Sequence, residues 1–124
     1  MQTLVETVFT GKWRSFKSFK RSGEIRLNTE KKFKEFEFSP DRELVIKAVD
    51  ETTTKKLAET DQWSVLFKNK RHYLNVDFPK LLYEVITVNH TVMVLADTAS
   101  EEKIFFARDI YWNEYLKNNH LIII

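Results

Sequence analysis

Apolar and polar residues alternate along most of this chain in short runs, and β-branched or aromatic residues crowd into several of them. The runs fall at 12–19, 32–38, 43–50, 55–68, 71–77, 81–88, 91–97 and 103–109, the fourth bent near 60–62. A period of two predicts half-buried strands. Val92-Met93-Val94-Leu95-Ala96 and much of Leu81 to Ile86 are apolar on both faces. Their shortness and β-branching favour strands over a buried helix. With two Gly and two Pro in the chain, the turns rest on Asn, Asp and Ser, which bond their own backbone and, for Asn and Asp, tolerate left-handed conformations. Ser39-Pro40-Asp41-Arg42 fits a type I turn. Lys68-Asn69-Lys70, Val88 to Thr91, Asp97 to Ser100 and Asp77-Phe78-Pro79-Lys80 separate the later runs. Strands joined this closely cannot cross over in parallel. The pattern predicts an all-β fold, an eight-stranded antiparallel up-and-down β-barrel.

Parity within each run predicts which side chains point inward. Trp63, Val65 and Phe67 share one face, and Phe36 with Phe38, Leu74 with Val76, Tyr83 with Val85, and Met93 with Leu95 are the other inward sets. Phe33 is out of phase with Phe36, which predicts either a bulge between them or a different register. The tail reads differently. Asp109 is placed to N-cap a short helix with Tyr111, Trp112, Tyr115 and Leu116 on one face. Asn118-Asn119 would end it, and His120 to Ile124 is β-prone, a candidate edge strand.

At 124 residues, 43% of them hydrophobic, the chain reads as a single domain, 1–124, with a barrel over about 10–109 and an extension over 110–124. Ten Phe, four Tyr and three Trp suit pleated strands. A net charge of +2 gives little field for steering onto nucleic acid. No cysteine is present, which excludes disulfides and thiolate metal sites. Met1 to Phe9 has no signal-peptide pattern, and no run is long enough to span a membrane as a helix. The expectation is a cytoplasmic protein as written, secreted or periplasmic if a leader has been removed.

Gly11-Lys12-Trp13, just ahead of the first strand, resembles the Gly-x-Trp opening of the lipocalins. Trp63 to Phe67, Tyr73 to Val76, Tyr83-Glu84-Val85, Met93-Val94-Leu95 and the closing Ile104 to Arg108 follow in an order similar to the short bacterial lipocalin-like domains, across roughly residues 10–109. The resemblance implies the barrel fold. It also implies that Arg108 stacks on Trp13 as a structural barrel closure, a cation–π contact of about 0.5–2 kcal/mol. The Thr-Asp-Tyr segment of full lipocalins is replaced here by Asn89-His90-Thr91, so no ligand class is carried over.

Lys12 to Arg21 holds five cations among aromatic residues. Single-stranded nucleic-acid binders use such a mixture, but an amphipathic strand with its rings inward fits the near-neutral chain better, and no nucleic-acid partner is expected. His72, His90 and His120 fall on separate segments and make no metal set. No nucleophile elbow, phosphate loop or dinucleotide fingerprint occurs, so neither catalytic residues nor cofactors are expected. The remaining feature is the barrel lumen, wide enough to be filled by side chains or to hold one small ligand. Its candidate lining is Phe36, Phe38, Trp63, Val65, Phe67, His72, Leu74, Tyr83, Val85, Met93 and Leu95. This points to a non-enzymatic protein binding a small apolar or amphipathic molecule. The alternative is a filled barrel acting as a structural or interaction module, with Leu121 to Ile124 as the edge of a homodimer.

Overall fold

The computed structural model describes residues 4–77 and 79–118. Phe78 and the expected edge strand at 120–124 lie outside the described residues. A short helix α1 (Leu4–Thr7) precedes ten strands: β1 (Gly11–Phe19), β2 (Ile25–Leu27), β3 (Lys32–Phe38), β4 (Leu44–Asp50), β5 (Thr53–Thr60), β6 (Trp63–Lys68), β7 (Arg71–Val76), β8 (Leu81–Val88), β9 (Val92–Asp97) and β10 (Lys103–Arg108). Helix α2 (Trp112–Lys117) follows. All ladders are antiparallel, in the order β5-β4-β3-β1-β10-β9-β8-β7-β6, with β2 added beside β1.

The sheet curls into a half-barrel rather than the closed eight-stranded barrel expected. The run at 55–68 is two strands, and β5 and β6 end as the two edges of the sheet although only Asp61 and Gln62 separate them. The physical reason lies at the start of β6, whose outward-facing groups have other partners. The buried Glu6 carboxylate, 3% exposed, accepts from the Val65 N–H at 3.0 Å and from the Arg42 guanidinium at 2.7 Å. Arg42 also donates to the Trp63 carbonyl at 3.2 Å. A helix residue and a turn residue thus supply the bonds that a neighbouring strand would make, which covers part of an otherwise open edge.

The hairpins follow the local chemistry. Asn69 and Lys70 both take positive φ, as a type I′ turn demands. The Asn89 side chain accepts from the N–H groups of Thr91 and Val92. Asp109 does not cap α2 as expected. Tyr111 holds the N-cap position without a side-chain bond, and the Asp109 carboxylate accepts from the adjacent Ile110 N–H.

Side chains sort onto two faces. The concave face encloses Phe9, Trp13, Phe36, Phe38, Leu44, Ile46, Trp63, Leu74, Met93, Leu95 and Phe106 in one core. Their rings meet edge-on or tilted, as between Phe38 and Trp63 with centroids 5.0 Å apart. On the convex face α2 packs Trp112 against Phe33, with centroids 4.5 Å apart, beside Phe16 and Ala107. Phe33 is therefore out of phase with Phe36 because it serves this second cluster. No register shift occurs within β3, and the expected bulge there is corrected. The shift lies in β1 instead, between Ser15 and Lys17, where Phe16 turns outward under α2. Within α2 the expected apolar face narrows, since Tyr111 is exposed while Trp112, Tyr115 and Leu116 pack inward.

Candidate functional site

The two ends of the half-barrel are built differently. At one end Arg108 lies over Trp13, its guanidinium carbon 4.2 Å from the ring centroid. The same group donates to the carbonyls of Thr10 at 2.8 Å, Val8 at 2.9 Å and His90 at 2.8 Å. Trp13 donates its indole N–H to the Phe9 carbonyl at 2.8 Å. Gly11 is required by this contact, because a Cβ there would stand 2.5 Å from an Arg108 nitrogen, and its φ of +124° is a conformation side chains rarely adopt. The end is plugged, with the cation's donors spent on backbone carbonyls.

At the other end β1 leaves β3. Their ladder stops at Arg14 and Glu35, and from Lys17 onward β1 pairs with β2 instead. The Ser15 hydroxyl bridges the parting by accepting from the Lys34 N–H at 2.8 Å. The Asn28 N–H donates to the Phe16 carbonyl at 3.0 Å. A cavity of about 510 Å³ opens there, lined by Ser15, Ser18, Arg26, Leu27, Asn28, Lys32, Phe33, Lys34, Ala48, Val49, Asp50, Glu102 and Ile104. Its size falls within the range of small-molecule sites.

Register shows where this lining comes from. Lys34 and Lys32 lie two and four residues from Phe36, and Ala48 and Asp50 lie two and four residues from Ile46, on paired strands. Glu102 precedes the core residue Ile104 by two. The concave face thus continues from aromatic core into charge as it approaches the cavity. Tyr83 stands near this transition, packed on Phe36 with centroids 5.8 Å apart. Burial, followed by the carboxylates of Asp97 and Glu102, pushes its phenol up to about 12.

Of the lining expected from parity, Phe36, Phe38, Trp63, Leu74, Tyr83, Met93 and Leu95 come together in the core, with Val65 and Val85 packed against its margin. Phe67 and His72 do not join them. Phe67 is 68% exposed and pairs across the hairpin with the exposed His72, centroids 4.8 Å apart, because β6 and β7 run past the core at that end. Among the described residues no three His, Cys, Asp or Glu side chains gather as a metal site. In the basic aromatic stretch, Trp13 and Phe16 are buried, and Lys17 folds over Phe105 at 4.6 Å and Phe19 at 5.4 Å. With its ammonium desolvated, the Lys17 pKa falls below the ordinary lysine value.

The charged cavity residues escaped parity reasoning because they look like solvated strand positions. A usable signal exists: Lys32, Lys34 and Asp50 are in phase with the apolar sets at Phe36 and Ile46, not opposite to them. No protein-family model, curated protein or solved structure matches the chain.

Proposed function

We propose that the protein is a non-enzymatic binding module that seats a small amphipathic molecule at the unplugged end of its half-barrel. The observation that carries this reading is the cavity between β1 and β3, whose lining brings the apolar residues Leu27, Ala48 and Ile104 together with charged and hydroxyl-bearing ones. Such a lining suits a ligand with an apolar body and a polar head. The deeper lumen contributes rigidity, since Trp13, Phe36, Phe38, Trp63 and Phe106 fill it. The lipocalin-like reading belongs to this proposal and draws its support from the contact between Arg108 and Trp13. Native mass spectrometry of the purified protein, followed by displacement of a bound naphthalene-sulfonate dye, tests the function. A retained small molecule or a saturable dye site sensitive to substitution at Ser18 or Ala48 is expected. A protein that carries nothing and binds no dye at that end overturns it.

One observation favours a second reading, an interaction module. Leu66, Phe67 and Ile86 are exposed on β6 and β8, and β6 is a sheet edge. Sedimentation of the wild type against Phe67→Lys separates the readings, since a loss of self-association would point to this surface.

A further inference from the structure

We propose that the free half of β6 docks an extended acidic segment of another protein, which adds to the sheet as a short further strand. This inference rests on the interaction reading of that edge, not on the cavity, and gives the surface a partner. Its first ground is the state of the edge. At the start of β6 the Val65 N–H leaves the sheet to reach Glu6, and the Trp63 carbonyl accepts from Arg42. Outward-pointing groups recur at every second residue of an edge strand, so Phe67 presents its N–H and carbonyl on the same side as Val65. Among the described residues neither group has a partner beyond the sheet. The clasp at Glu6 thus covers one half of β6 and leaves the other as a template for strand addition. Phe67 flanks that half with a side chain 68% exposed, and Leu66 is exposed on the opposite face.

The second ground is charge. Lys68, Lys70 and Arg71 follow Phe67 around the turn, all exposed, with no carboxylate among them. Arg71 has Glu84 at 3.4 Å, whereas Lys68 and Lys70 make no ion pair among the described residues. Three cations in four residues stand apart from a chain of 20 basic and 18 acidic residues. A strand laid beside this turn gains from carboxylates of its own. A second copy fits less well. Antiparallel pairing of two β6 strands about Phe67 would lay the turn of one copy against residues 63–65 of the other, where Glu6 and Arg42 already sit.

The test is fluorescence anisotropy of the whole protein with three labelled peptides: Glu-Asp-Val-Thr-Val-Asp-Glu, its counterpart with Lys at every acidic position, and the acidic peptide with its Val and Thr amides N-methylated. The acidic peptide is expected to bind about tenfold more tightly than either control, and more weakly as salt rises. Lys68→Glu combined with Lys70→Glu, both at exposed positions, should invert the charge preference. Hydrogen exchange at the Phe67 N–H should slow on binding, while Val65, already bonded to Glu6, should not change. If the basic or the N-methylated peptide matches the acidic one, or an oligothymidylate of equal charge competes as well, the inference fails while the interaction surface stands. If no peptide binds and Phe67→Lys abolishes self-association, the partner is a second copy and the inference alone fails. If no peptide binds and the protein is monomeric, the interaction reading fails with it.

Discussion

The plugged and open ends of the half-barrel belong to one sheet, yet they treat their charged side chains differently. Each end also buries one polar atom unpartnered among the described residues, Trp63 Nε1 and Asn28 Oδ1. At the plugged end Arg108 meets three carbonyls and a ring, and Glu6 meets Arg42 and the Val65 N–H. At the open end, among the described residues, Lys34 makes no ion pair and the Asn28 Oδ1 accepts no hydrogen bond. The contrast separates two uses of charge. A buried polar group whose partners come from the chain ties distant segments together. One whose partners are missing costs stability, and the cost is recovered when something else supplies them.

This comparison can be broken most directly at Trp13. Trp13→Ala is expected to destabilise by about 3–5 kcal/mol in denaturant unfolding, the usual range for a fully buried aromatic. A change within error would mean that the plug is not needed. The next largest effect concerns Tyr83. Its phenol ionises at about 12 in the folded protein against 10.0 ordinarily, so the folded state holds the proton more tightly. The resulting stabilisation is complete below pH 10 and is lost as pH rises toward 12. Two units correspond to about 2–3 kcal/mol. Relative to the wild type, Tyr83→Phe should therefore flatten the alkaline fall in stability, and parallel curves for the two proteins would refute the assignment.

Glu6→Ala should cost about 2 kcal/mol, because it strands the Val65 N–H and removes the anion beside Arg42, itself one-third exposed. Hydrogen exchange should quicken first at Val65, next to the β5–β6 edge; uniform quickening would argue against a local clasp. Smallest of all, Lys34→Met at the open end should shift stability by less than about 0.5 kcal/mol. A loss of several kcal/mol would show that Lys34 is structural and that the two ends do not differ as described.

Much of this architecture was legible in the residue pattern, for reasons local to each segment. Asn69, Asn89 and Asp97 marked turns through their own side-chain chemistry, and the alternation at 32–38 and the short β-branched run at 81–88 set strands that the structure reproduces residue for residue. Less local features were hidden. The break at Asp61-Gln62 read as a bend because the group that separates β5 from β6 is Glu6, some fifty-five positions earlier. The phase of Phe33 shows in the sequence but its cause does not, since its partner Trp112 sits on a helix from the other end of the chain. Strand β2 is three exposed residues long, and its Ile25-Arg26-Leu27 alternation is too short to mark a strand. The cavity depends on where β1 changes partner, a competition between β2 and β3 that neither strand displays alone.

Gly11 carries a consequence for how this sequence can vary. Its missing side chain is space occupied by the Arg108 guanidinium, so positions 11 and 108 form one mutational unit. Gly11→Ala should be costly with Arg108 present and less so beside Arg108→Ala, which leaves only the backbone strain at φ +124°. The double variant would then lose less than the sum of the single losses. Drift at either position is confined by the other.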